Sequence, residues 1–174
     1  MAGLYTRTGD GGTTYCAVLK QRVPKDHPII EFVGTLDEAN SMLGLARSML
    51  PEDLEDAKQV VERVQRLLFN AGFSPLLEDS VKEEDVLWAE ETIDRLYPTP
   101  LKNFILPGGH PAASAIHAAR TLLRRAERRL VTVTRLYPGL YPELTLHLLN
   151  RLSDLLFALA LHVNKSLRVE ELEL

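Results

Sequence analysis

Apolar residues recur every three or four positions along most of the chain, which is the spacing of amphipathic helices. The first such run is Ile29, Phe32, Leu36, Ala39, Leu43, Ala46 and Leu50. Pro28 suits its first turn, where a proline gives up no helical hydrogen bond, and Pro51 stops it. A second run, Leu54, Ala57, Val61, Val64, Leu68 and Ala71, ends before Pro75. The third is shorter: Val86, Ala89, Ile93 and Leu96. The fourth, from Ala112 through Ile116, Ala119, Leu123, Ala126 and Leu130 to Val133, follows Pro107-Gly108-Gly109 and ends before Pro138-Gly139. The fifth, about Tyr141 to Lys165, is apolar almost all round, as suits the middle of a bundle or a subunit interface. Spacing this regular favours shallow crossing angles of about 20°, hence long, nearly aligned helices.

The pattern therefore predicts an all-α five-helix bundle over residues 28–165, preceded by an extended Gly- and Thr-rich segment over 1–27. Tyr15 to Leu19 reads as extended, and residues 97–110, with Pro98, Pro100 and Pro107, read as a loop. With 174 residues, no repeat and no low-complexity stretch, a single domain over 1–174 is expected.

Composition narrows the partners. The formal charge is -4, which disfavours a broad nucleic-acid surface. One cysteine, Cys16, precludes an intrachain disulfide and fits a cytoplasmic setting. Continuous apolar stretches such as Leu155 to Leu161 are far shorter than the roughly 20 residues of a membrane span. Met1 to Gly12 lacks a basic-then-apolar leader pattern.

The charge is unevenly placed. Residues 52–95 carry thirteen acids and five bases, a net of -8, whereas residues 120–129 carry five arginines and one glutamate, a net of +4. Arg120, Arg124 and Arg128 stand at i, i+4 and i+8, so they share one helix face, with His117 just before them. Arg125 and Arg129 adjoin that face, and Glu127 can pair with Arg124. Guanidiniums so crowded repel one another unless anions intervene. The stripe is thus a site for a polyphosphate, which arginine grips bidentately, or an exposed face neutralised by pairs within the chain.

Three further groups can carry chemistry. In Thr6-Arg7-Thr8-Gly9-Asp10-Gly11-Gly12-Thr13-Thr14 the glycines free the backbone to turn N–H groups inward, a nest for phosphate oxygens. No Gly-Lys-Ser/Thr follows, so it is not a Walker A loop, and a flexible tail with a turn is the alternative. Asp37, Asn40, Ser41, Gly44 and Ser48 form a small polar stripe that admits a ligand or a close helix, or is simply solvated. Asn150, Arg151 and Asp154 are the polar strip of the fifth helix, a register device or a site. Phe104 is a lone aromatic in a proline loop, by default a loop anchor. The five histidines show no zinc-ligand spacing, and no Glu-x-x-His pair suits a di-iron site.

In this order, six motifs resemble the cobalamin adenosyltransferases of the propanediol-utilisation type. They are Thr6 to Gly12, Arg22 to Asp26, Val33 to Ser41, Phe104 to Gly109, Arg124 to Arg128 and Leu149 to Asp154, within a match from Tyr5 to Lys165. The resemblance implies transfer of the adenosyl group of ATP to the cobalt of cob(I)alamin, with release of triphosphate. It implies a homotrimer with active sites between subunits, and Mg²⁺ at the phosphates. It puts Thr6, Arg7, Thr8, Gly9 and Thr14 around those phosphates with Lys25 assisting, and Asp10 and Thr13 in the same set. Arg124, Arg125, Glu127, Arg128 and Asn150 would surround the nucleotide, while Arg120 would bridge to Asp37. Phe104 would close the lower face of the corrin ring. Such an activity draws on a flavoprotein reductase and supplies an adenosylcobalamin-dependent enzyme; no nucleic acid or membrane enters. Two positions depart from the family pattern. Arg7 stands where lysine is usual, and Ala39 replaces a larger apolar residue, leaving the seam locally looser. A non-catalytic carrier of the same ligands, or a purely structural bundle, would use the same arginine stripe; triphosphate release separates them.

Overall fold

The computed structural model describes residues 5–98, 101 and 103–174; the loop residue Pro100 and the first four residues of the 1–27 segment lie outside them. Among the described residues five helices dominate: α1 (Pro28–Met49), α2 (Glu55–Phe73), α3 (Glu83–Leu96), α4 (Pro111–Leu136) and α5 (Glu143–Ser166). All five answer to the apolar runs. The first and fourth begin with the same device. His27 and His110 precede Pro28 and Pro111, and each imidazole Nδ1 accepts the free N–H two residues on, at 3.3 and 3.2 Å.

The seams close as the spacing requires. Ala112, Ile116, Ala119, Leu123, Ala126, Leu130 and Val133 are fully buried along α4, opposite Phe32, Ala39, Leu43 and Ala46 of α1. Ala39 sits in this seam with no exposure. On α3 the buried edge is turned slightly: Ala89, Thr92 and Leu96 are buried while Ile93 is only half-buried. The fifth helix packs against α2, α3 and α4, the central of the two places open to it. It is long and apolar enough to cross a membrane, with mean hydropathy 1.4, yet 61% of that window is buried in the bundle. Its apolar surface is spent on neighbouring helices.

Two small ladders lie outside the bundle. Strands β1 (Thr13–Cys16) and β2 (Gln21–Pro24) form an antiparallel hairpin. The extended stretch is therefore earlier than Tyr15 to Leu19, and residues 17–20 form its turn, with Lys20 at φ 53°. Cys16 and Val23 are buried and tie the hairpin to the core. Nearby, Tyr141 donates its hydroxyl proton to Gly72 O at 3.2 Å; burial, and then Cys16, push its pKa up. The second ladder pairs β3 (Ile105–Leu106) with β4 (Leu172–Glu173). No periodic signal marks it, because each strand has two residues.

Candidate active site

The Gly/Thr segment is held as a compact loop. Gly12 N donates to Gly9 O at 3.2 Å, and Lys25 N donates to Gly12 O at 3.0 Å. Gly12 sits at φ +77°, which a side chain would disfavour. Thr6 and Thr8 share a hydroxyl hydrogen bond of 2.8 Å. The Lys25 side chain lies over Gly9, 3.4 Å from where a Cβ would stand. Arg7 is at φ 59° with its guanidinium over the Tyr5 ring, 5.4 Å from the centroid.

Sequence reasoning assigned no task to Arg22. Its guanidinium donates to Thr8 O, to Thr13 O at 3.1 Å and to Thr13 Oγ1 at 2.9 Å. By occupying carbonyls it fixes the two ends of the loop. Thr13 and Thr14 lead from that loop into β1, and Asp10 stays exposed at its tip.

On α4 the arginines divide into two sets. Arg125 pairs with Glu38, and Arg129 with Glu31 at 3.5 Å, so α1 neutralises this side of the stripe. These acids are remote in sequence, and Glu127 was the only local candidate. Glu127 instead accepts from Asn150 Nδ2 at 3.0 Å, linking α4 to α5. Among the described residues, Arg120, Arg124 and Arg128 have no carboxylate partner. Arg128 donates to Arg124 O at 3.1 Å. The structure thus joins Glu127 to Asn150 and Arg128 to the Arg124 carbonyl, and turns Arg125 towards α1.

Arg120 is half-buried between two adjoining clefts. One, about 410 Å³, is lined by Ile93, Tyr97, Arg120, Arg124, Asp154 and Phe157. The other, about 430 Å³, is lined by Leu101, Asn103, Phe104, Ile105, Arg120 and Phe157. Phe104 is 83% exposed within it, so it anchors nothing in the chain itself. The Arg120 guanidinium lies 5.5 Å from the Phe157 centroid, and its Nε is buried without a partner. Burial, and then the nearby Arg124, hold its pKa below the usual arginine value. His117, one turn earlier, is buried against Phe157 with both ring nitrogens unpartnered. Burial, with Arg120 adding to it, depresses its pKa to about 4, so it is neutral at pH 7. Arg151 bridges Glu90 of α3 at 2.9 Å and Asp154 at 3.1 Å, which gives the polar strip of α5 a structural task.

Asp37 is not at these clefts. It lines a groove of about 380 Å³ between α1 and α2, with Asn40, Phe69 and Phe73. There Asn40 and Gln65 exchange side-chain to backbone hydrogen bonds of 3.3 and 3.1 Å, and Gly44 lies close to Gln65. The small polar stripe thus serves close approach of α2. Within one chain the structure does not join Asp37 to Arg120, nor the Gly/Thr loop to the arginine face. Among the described residues no group of three His, Cys, Asp or Glu could cage a metal ion. A magnesium ion held by phosphate oxygens and water needs no such cage.

An all-α bundle with an N-terminal Gly/Thr loop and two clefts that meet at Arg120 defines the class. The family model that matches, over residues 4–163, is that of cobalamin adenosyltransferase, and the chain belongs to this family. Corrinoid adenosyltransferase PduO of Salmonella typhimurium is 42% identical over 169 residues, covering 90% of this chain; the chain spans 48%, about half, of that relative. The corrinoid adenosyltransferase of Bacillus subtilis is 39% identical over 179 residues, covering 98% of this chain and 91% of the relative. Among solved structures, a Phe-to-Ala variant of the PduO-type ATP:corrinoid adenosyltransferase from Lactobacillus reuteri, complexed with cobalamin and ATP, aligns with a TM-score of 0.88. It is 33% identical and the alignment covers 99% of both chains. An Arg-to-Lys variant of that enzyme complexed with ATP also gives 0.88, at 32% identity over 98% of this chain and 99% of the other.

Proposed function

We propose that this chain transfers the 5′-deoxyadenosyl group of ATP to the cobalt of cob(I)alamin, giving adenosylcobalamin and triphosphate. One observation carries the reading: two mainly apolar clefts, one bearing Arg124 and the other an exposed Phe104, meet at the Arg120 guanidinium. A polyanion and a large, mostly apolar macrocycle are the pair of ligands such neighbours suit. The complexes of the L. reuteri enzyme with cobalamin and ATP support the same pairing.

The chemistry asks little of the protein in nucleophilicity, because cob(I)alamin is itself a strong nucleophile. It asks for geometry and charge. Cobalt and the ribose 5′-carbon must be held in line; the Co–C bond forms as the C–O bond to triphosphate breaks. Triphosphate leaves readily only when its charge is neutralised, and Arg124, Arg128, Lys25 and the Thr6 to Thr14 loop supply that, with Mg²⁺ arriving on the nucleotide. Phe104 sits below the ring, excluding water and displacing the lower axial ligand of Co(II), which eases reduction to Co(I).

The assembly is a homotrimer in a cytoplasmic setting, with the site completed between subunits. The separation of Asp37 from Arg120 within one chain supports this, because a neighbouring copy can bring its Asp37 to a half-buried guanidinium that has no carboxylate partner among the described residues. A flavoprotein reductase supplies the electron, and an adenosylcobalamin-dependent enzyme takes the product. The test is to follow triphosphate against adenosylcobalamin. Equimolar release is expected, whereas binding of ATP and cobalamin without triphosphate would make the protein a carrier.

A further inference from the structure

Phe104 presents a problem of positioning. Its side chain is 83% exposed, so packing within the chain cannot hold its direction. Whatever orients it must act through the backbone on either side. On one side, Asn103 Nδ2 donates to Glu173 Oε2 at 2.7 Å. On the other, Ile105 and Leu106 pair with Glu173 and Leu172, and Leu174 N donates to Phe104 O at 2.9 Å. A two-residue ladder is marginal by itself. It needs an anchor in the core.

That anchor is Asn164, in the last turns of α5 and fully buried. Its Oδ1 accepts from His110 N at 2.9 Å. Its Nδ2 donates to Gly108 O at 3.0 Å and to Glu171 Oε1 at 2.9 Å. Its own carbonyl accepts from Val169 N at 2.9 Å. One side chain thus ties together the end of the Phe104 loop, the cap of α4 and the segment returning along β4. The bond to Glu171 is charge-assisted, and the buried amide leaves neither donor unused. Gly109 makes the approach feasible. It lies at φ +93°, and a Cβ there would collide with the Asn164 amide.

We propose that Asn164 is a positioning residue for Phe104, acting through the 104–110 loop and the Leu172–Glu173 strand. This rests on the lower-face reading of Phe104. The hydrogen bonds described for the Asn164 side chain go to Gly108, His110 and Glu171, none of which lines either cleft; in that role it fixes where the aromatic ring is presented.

The test uses Asn164→Asp, which keeps the shape but removes both donors and sets a carboxylate against Gly108 O and Glu171. Three quantities are read, in the wild-type and Phe104→Ala backgrounds: ATP affinity, adenosylation rate from chemically pre-formed Co(I), and the fraction of bound Co(II) corrinoid lacking a lower ligand, from its electron paramagnetic resonance spectrum. In the wild-type background Asn164→Asp should lower that fraction at least about fivefold, with ATP affinity and the Co(I) rate within about twofold. In the Phe104→Ala background it should lower it no further. Glu171→Gln, which keeps an acceptor for Nδ2, should behave as wild type, and Glu171→Ala should reproduce the Asn164→Asp pattern more weakly. The two Glu171 variants decide the matter if Asn164→Asp fails to fold. Equal losses in both backgrounds, or parallel losses of ATP affinity and the Co(II) signal, would overturn the proposal and leave Asn164 a packing residue. A wild-type Co(II) signal in Phe104→Ala alone would instead overturn the reading of Phe104 on which it rests.

Discussion

At the residue scale, ion pairing separates arginines that look alike in sequence. Arg125 and Arg129 are neutralised by Glu38 and Glu31, while Arg124 is exposed beside the cleft with no carboxylate partner among the described residues. Arg124→Ala should therefore weaken ATP binding at least about tenfold, the loss of one charge-assisted contact. The melting temperature should move little, since an exposed arginine contributes little to the core. Unchanged ATP affinity in a calorimetric titration would mean the phosphates lie elsewhere. His117 gives a second expectation. Its folded pKa is depressed from 6.5 to about 4, so between those values the unfolded chain binds a proton that the native chain does not. Stability is full above about pH 6.5 and is lost as pH falls towards 4, by an amount on the order of 3 kcal/mol. In urea unfolding at pH 7 and pH 4.5, His117→Phe should lose less than wild type; an equal loss would assign the acid sensitivity to other groups. The stripe was legible from its i, i+4, i+8 spacing. Its division was not, because Glu31 and Glu38 are close to it only through helix packing.

At the scale of elements, periodicity carried most of the information. All five helices were readable, four from a single apolar seam and α5 from being apolar nearly all round, and the residues that the spacing of α4 names are all fully buried. The small ladders were not readable, since two to four residues cannot show a period and their partners are distant. Phe157 was equally hidden, one more apolar residue on a helix apolar nearly all round. The hairpin yields an expectation of its own. Arg22 holds Thr8 and Thr13 by their carbonyls, so Arg22→Ala should loosen the Gly/Thr loop, the proposed phosphate site, before substrate arrives. KM for ATP should rise about threefold to tenfold with kcat nearly kept, and Arg22→Lys should recover part of it. A fall in kcat at constant KM would contradict a role in holding the loop.

At the scale of the whole molecule, one chain keeps Asp37 apart from Arg120. The arginine cleft and the Phe104 cleft adjoin at Arg120, the Asp37 groove lies apart from both, and the motifs say nothing of which copy would supply which part. In the proposed trimer, a closed ring would let Asp37 of one subunit meet Arg120 of the next. Asp37→Ala and Arg120→Ala should each be inactive alone. Mixed trimers of the two should regain about a quarter of wild-type activity, because one random interface in four then carries both residues. No recovery on mixing would place the pair outside a shared interface. The expectations for substrate binding and turnover depend on the reaction itself, and its direct measurement is the absorbance of the corrinoid. With ATP, Mg²⁺ and chemically reduced cobalamin, the spectrum of cob(I)alamin should give way to that of adenosylcobalamin, with one triphosphate released per corrinoid. A spectrum that follows the protein-free control would contradict the assignment of this chain as an adenosyltransferase.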